Sequence, residues 1–178
     1  RAFWCNPCYL IVTPIAINGS GSITGISAGG LPDGCVTADD LATGVGGKIL
    51  QVVSATKTDT FSTSGTSYVD ITGLSVTITP SSSSNKILIL THVTGNGNSN
   101  TRCSFRMVRG STAIGVGDAY GSRTRTFGGI YAQNNDATTE TVSAVYLDSP
   151  ATTSATTYNI QTSQLAGQTV YINRSDSW

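Results

Sequence analysis

Leu74-Ser-Val-Thr-Ile-Thr-Pro-Ser-Ser-Ser-Ser-Asn-Lys-Ile-Leu-Ile-Leu-Thr-His-Val-Thr94 decides the fold class. In its first part Leu74, Val76 and Ile78 alternate with Ser75, Thr77 and Thr79, the period of two that gives a strand one apolar and one wet face. Pro80 and the Ser/Asn run to Asn85 break the chain, because Pro withdraws a ladder donor and Ser and Asn favour turns. The second part, Ile87-Leu-Ile-Leu90, is apolar on both faces, which makes Lys86–Thr94 the candidate central strand of a sheet.

The same signature repeats along the chain. Short β-prone runs are read at Ile49–Thr56, Tyr68–Ile71, Leu74–Thr79, Lys86–Thr94, Arg102–Val108 and Ala113–Val116. Thr126–Ala132, Thr141–Leu147, Thr156–Thr162 and Thr169–Ile172 complete the set. Gly95-Asn-Gly-Asn-Ser-Asn100, Gly110, Asn134-Asn-Asp136, Ser149-Pro-Ala and Ala166-Gly are read as the breaks between them. No helical period is sustained over ten residues. Many short strands rich in Thr, Val and Ile predict an all-β domain over 48–178, a sandwich of jelly-roll type rather than an α/β fold.

Before this body the composition shifts. Residues 18–47 are rich in Gly and Ser and read as a linker, with one helical turn at Thr37-Ala-Asp-Asp-Leu-Ala42, where Thr37 caps and Asp39 and Asp40 sit at the positive end. Fully extended, such a segment spans on the order of 100 Å. Residues 1–17 precede it and carry the β-prone run Tyr9-Leu-Ile-Val-Thr-Pro-Ile-Ala-Ile17, in which Pro14 marks an edge or bulge.

Composition bounds the function. Charged residues make up 11% of the chain, ten Lys and Arg against ten Asp and Glu, where about 25% is usual. Such a surface repels its own copies weakly and favours association. Net charge is zero and no basic run occurs, so the electrostatic footprint of a nucleic-acid or anionic-membrane partner is missing. No run reaches the roughly 18 apolar residues of a spanning helix.

Chemistry-bearing patterns are sparse. Gly25-Ile-Ser-Ala-Gly29 matches the nucleophile elbow, and Ser27, Asp70 and His92 follow the hydrolase order, but the elbow needs a strand before it and a helix after it. Here it lies between Gly-rich stretches, and an accidental match is the preferred reading. His92 is the single histidine and Glu140 the single glutamate, so a histidine base has one candidate and no glycosidase-like carboxylate pair is visible. Gly19-Ser-Gly21 and Gly46-Gly-Lys48 complete neither a dinucleotide nor a phosphate-loop motif. No catalytic residue, cofactor or metal is expected.

Cys5-Asn-Pro-Cys8 has thioredoxin-like spacing, but the sequence after it is β-prone rather than helical. Cys5, Cys8, Cys35 and Cys103 allow three disulfide pairings, and a local Cys5–Cys8 bridge or free thiols are the expected states. Asn18-Gly-Ser20 and Asn173-Arg-Ser175 match the N-glycosylation pattern, and the dense Ser/Thr surface suits O-linked sugar.

Several phrases resemble virion and tail-fibre proteins of phages, of marine and cyanophage type. They are Gly47-Lys-Ile-Leu-Gln-Val-Val53, Ser67-Tyr-Val-Asp-Ile-Thr-Gly-Leu74, Ser84-Asn-Lys-Ile-Leu-Ile-Leu90, Met107-Val-Arg-Gly-Ser-Thr112 and Tyr171-Ile-Asn-Arg-Ser175. Ala28-Gly-Gly-Leu-Pro-Asp-Gly34 followed by Thr37-Ala-Asp-Asp-Leu41 looks like a fibre stem. The strand order is also loosely similar to the trimeric jelly rolls of the C1q and tumour-necrosis-factor kind. The resemblance implies a structural or adhesive role without catalysis, and no site residue transfers with it. Cys5-Asn-Pro-Cys8 departs from the stem pattern.

The run Tyr9–Ile17 then has three placements: an edge of its own sandwich, a trimeric stem, or the sheet of another copy. An unpaired apolar strand is unfavourable, and strand addition satisfies both its backbone and its side chains. Tyr9, Leu10, Ile11, Val12, Ile15 and Ile17 are expected to form an inter-subunit strand, giving a secreted, self-assembling extracellular fibre whose partners are copies of itself. A trimeric phage fibre head on the virion surface is the alternative, with Tyr120, Arg123, Arg125 and Tyr131 contacting a receptor or surface glycan.

Overall fold

The structure, a computed structural model, describes residues 49–98, 100–132, 137–164 and 167–176. These form nine strands: β1 (Phe61–Thr63), β2 (Val69–Ile78), β3 (Ile87–Gly97), β4 (Arg102–Arg109), β5 (Thr112–Ile114), β6 (Gly128–Tyr131), β7 (Glu140–Asp148), β8 (Thr156–Gln164) and β9 (Val170–Ile172). The first sheet has the order β1-β9-β3-β7, and the second runs β2-β8-β4-β5 with β6 also paired to β4. Every pairing is antiparallel. The fold is an all-β sandwich of two antiparallel sheets, as the alternating pattern predicts.

Residues from both sheets fill the space between them. Ile71, Phe105, Met107, Ile130, Tyr158 and Ile160 come from the second sheet and Val93, Val170 and Ile172 from the first, all buried in one cluster. Phe105 is fully buried and stacks on Phe127 at 6.4 Å between ring centroids. Each such apolar side chain removed from water contributes roughly 1.5–3 kcal/mol before the entropy of ordering is counted.

Element boundaries differ from the sequence reading in instructive places. The runs Tyr68–Ile71 and Leu74–Thr79 are one strand, β2, with an irregularity between them. From Asp70 to Ser75 β2 advances five residues while β8 advances two, and Gly73 takes φ 91° there. The stretch Gly95–Gly97, read as a break, continues β3 and pairs with β9. A Cβ on Gly95 would lie 2.6 Å from the Tyr171 carbonyl oxygen, so this glycine permits close backbone approach rather than a turn. The described part of Ile49–Thr56 is not a strand, and β1, unread in the sequence, follows it. Gly110, at φ 58°, does turn the chain, closing the β4–β5 hairpin.

The two sheets are also tied by a polar bolt. Arg109 of β4 donates through Nη1 to both carboxylate oxygens of Asp148 on β7, at 2.8 and 2.9 Å. Tyr158 of β8 donates its hydroxyl to the same carboxylate at 2.7 Å. Asp148 and Tyr158 are both buried, so the pairing satisfies groups that would otherwise be costly inside.

Candidate interaction surface

The sandwich has two outer faces of opposite character. On the second sheet, alternation turns Ser75, Thr77, Asn159 and Gln161 outward, and they form a hydrogen-bonded ladder. Arg106 Nε donates to Gln161 at 2.7 Å, Gln161 Nε2 donates to Asp70 at 2.7 Å, and Ser75 Oγ donates to Asn159 at 2.7 Å. The Arg106 guanidinium lies 4.0 Å from the Tyr68 ring centroid, a cation–π stack. This face is wet and internally satisfied.

The outer face of the first sheet is aliphatic. β3 and β7 pair in register, so Leu88 stands opposite Leu147 and Leu90 opposite Val145. Their neighbours Ile87, Ile89, Ala144 and Tyr146 point inward to the core, which leaves these four outward by the period of two. Leu88 is 58%, Leu90 71%, Val145 70% and Leu147 53% exposed. Further along the same face, His92 Nδ1 and Ser143 Oγ are 3.0 Å apart, and the Thr94 and Thr141 hydroxyls 2.9 Å. From Leu88 to Thr94 and from Thr141 to Leu147 there is no Lys, Arg, Asp or Glu.

β3 is central in its sheet, between β9 and β7, but only its inner side is buried within the chain. Beside Leu90 and His92 an open cleft of about 370 Å³ separates β3 from residues 55–57. Lys57, whose side chain is 3% exposed, borders it and pairs with Asp59 at 2.8 Å, which holds the Asp59 carboxyl below its ordinary range.

The edges of the sheets matter as much as the faces. Among the described residues β1 and β5 have three residues and β6 four, while β2 is interrupted at Gly73. Short strands and bulges are the usual ways of blunting an edge. β7 has nine residues, a regular register and β3 as its described partner. It is the long, unblunted edge.

The predicted contact residues fall in two places. Tyr120, Arg123 and Arg125 lie in the loop joining β5 to β6, and Tyr131 lies on β6. Tyr120 is exposed, but Arg125 is engaged, with Nε donating to the Gly117 carbonyl at 2.6 Å and its own carbonyl accepting from Tyr68 at 3.1 Å. The Arg123 N–H closes a turn onto the Tyr120 carbonyl at 3.2 Å. Arg102 stacks on Tyr131 at 5.2 Å, a partner that the sequence reading missed.

The remaining candidates are placed as follows. Ser27 lies outside the described residues, while Asp70 and His92 sit on different sheets. Tyr9, Leu10, Ile11, Val12, Ile15, Ile17, Cys5, Cys8, Asn18, Cys35 and the turn at Thr37 also lie outside them. Asn173 has φ 59°, and its Nδ2 donates to the carbonyls of Lys57 at 2.8 Å and Asp59 at 3.1 Å, pinning the segment before β1. Cys103 is buried, and burial pushes its thiol up to about 11. Among the described residues no His, Cys, Asp and Glu cluster could hold a metal, and no helix is long and apolar enough to cross a membrane.

No protein-family model matches the chain, and no curated protein is significantly similar to it.

Proposed function

We propose that the chain is a non-enzymatic structural subunit of a self-assembling extracellular fibre or filament, in which the N-terminal strand of one copy docks on the next. The observation that carries this reading is the β7 edge, nine residues long and unblunted. Tyr9–Ile17 is also nine residues long and apolar on both faces. An added strand gains main-chain hydrogen bonds along such an edge and side-chain contacts on either side of it. A heterologous contact of this kind propagates as an open filament when it does not close. Consecutive strands alternate between the two sheets except over β4, β5 and β6, which share one, and this alternation supports the jelly-roll form of the sandwich.

The test uses the full chain carrying Ile11→Asp and Ile15→Asp, examined by negative-stain electron microscopy beside the wild type. Fibres in the wild type that are lost in the variant are expected. Fibres that persist unchanged contradict strand docking.

Exposed Tyr120 favours a second reading, a trimeric phage tail-fibre head on the virion surface that binds a receptor or glycan through the β5–β6 loop. A glycan array with no binding by the full chain, or binding unaltered by Tyr120→Ala, counts against it.

A further inference from the structure

We infer that the aliphatic outer face of β3 and β7 is buried against the same face of a second copy of this chain. The inference shares the self-assembly reading above but not its strand: it concerns a sheet face, formed entirely by residues of the sandwich. Leu88, Leu90, Val145 and Leu147 make two cross-strand pairs on one surface. Together they expose an apolar patch on the order of 400 Å², the size of the largest patch on a typical monomer, which is often a functional one.

Three features select a second copy as the occupant. The first is charge. The face carries no Lys, Arg, Asp or Glu between Leu88 and Thr94 or between Thr141 and Leu147, so two copies meet without like-charge repulsion and without burying an unpaired ion.

The second is the polar flank. His92 is matched to Ser143 and Thr94 to Thr141 within one copy, so the flank offers few unmet groups for a polar ligand and tolerates burial. The third is area. The aliphatic pairs form the centre of a contact and the Thr, Ser and His rows extend it as a rim, toward the roughly 800 Å² that a stable contact takes from each partner.

The polar ladder of the second sheet argues the same way from the other side. There Asp70, Arg106, Gln161 and Asn159 keep a solvated face by hydrogen-bonding one another. The two faces of one sandwich therefore differ in the water they tolerate, and the first sheet is the one turned toward its neighbours.

The experiment is sedimentation velocity on the full chain, wild type against Leu90→Thr/Val145→Thr, with Leu88→Thr/Leu147→Thr as an independent second variant. Thr keeps the β-branched strand preference, and far-UV circular dichroism with thermal unfolding checks the fold of each variant. Wild type is expected to associate, and on the fibre-free Ile11→Asp/Ile15→Asp background to do so as a discrete compact oligomer, with association weakened roughly a hundredfold by either Thr pair. Amide exchange in wild-type β3 and β7 is expected to quicken on dilution. A monomeric wild type, variants that associate as the wild type does, or exchange independent of concentration overturns the inference.

The strand-docking variant Ile11→Asp/Ile15→Asp separates the two proposals. A compact oligomer that survives in it, without fibres in any sample, supports the face contact while removing the strand reading. Loss of the compact oligomer in that variant overturns the face contact.

Discussion

Tyr158 donates its hydroxyl to Asp148 at 2.7 Å, joining β8 of one sheet to β7 of the other through a carboxylate that also holds Arg109. Burial, and then the hydrogen bond to Asp148, raise the Tyr158 hydroxyl above its ordinary range. A raised value in the folded state contributes stability that is fully present below the ordinary tyrosine value of about 10 and is lost as pH climbs through the folded value. Tyr158→Phe is expected to cost roughly 1–3 kcal/mol at neutral pH. It should also flatten part of the alkaline fall in melting temperature. Urea unfolding at neutral pH and melting curves taken upward from about pH 8 check both effects.

Gly95→Ala places a Cβ 2.6 Å from the Tyr171 carbonyl oxygen and 3.2 Å from Ile172 Cδ1. The nearest obstacle is backbone, so β3 and β9 must separate locally. The expected cost is about 1–3 kcal/mol, read as a lower urea midpoint. Gly110→Ala differs, because open space surrounds its Cβ and the positive φ alone is strained. A Gly95→Ala variant as stable as wild type would contradict the close approach.

Burial lifts the Cys103 thiol to about 11, and its Sγ lies 3.7 Å from the Ile130 carbonyl oxygen. The thiolate is the reactive species. Cys103 is therefore expected to stay unmodified by iodoacetamide at mildly alkaline pH in the native protein and to react on unfolding. Peptide mapping by mass spectrometry distinguishes it from Cys5, Cys8 and Cys35. Native labelling at the rate of a free thiol would contradict its burial.

Core and face aliphatics should respond differently to truncation. Phe105→Ala is expected to cost about 3–5 kcal/mol at any protein concentration, because it opens a cavity between the sheets. Leu90→Ala removes a largely exposed side chain, and in dilute solution its effect should stay within about 0.5 kcal/mol. At high concentration the loss should grow, since association stabilises the folded state by mass action. Denaturation at two concentrations reads the difference.

Much of the fold was legible because period and punctuation agreed. Leu74–Thr79 alternates and is followed by Pro80, and Lys86–Thr94 is apolar and β-prone; both are strands in a two-sheet sandwich. Glycine was harder to read. Gly95 and Gly97 look like turn residues, yet they lie in β3, where Cβ atoms would collide with Tyr171 and Thr101. Sequence registers the missing side chain but not whether a bend or a neighbouring backbone requires it.

The surface was legible only in part. Ile87-Leu-Ile-Leu90 correctly placed β3 inside its sheet, but periodicity cannot tell whose atoms cover a face. Leu88 and Leu90 are exposed in the single chain. Val145 and Leu147 lie more than fifty residues away, and only the β3–β7 register brings them into the same patch. Arg102, Arg106 and Tyr68 were likewise invisible as partners because their stacking depends on strand pairing rather than local order.

Sedimentation equilibrium of the wild-type 178-residue chain over a micromolar concentration series is the sharpest test of self-assembly. Self-assembly predicts a mass rising to a multiple of 18.4 kDa. A mass of one chain throughout the series would contradict it.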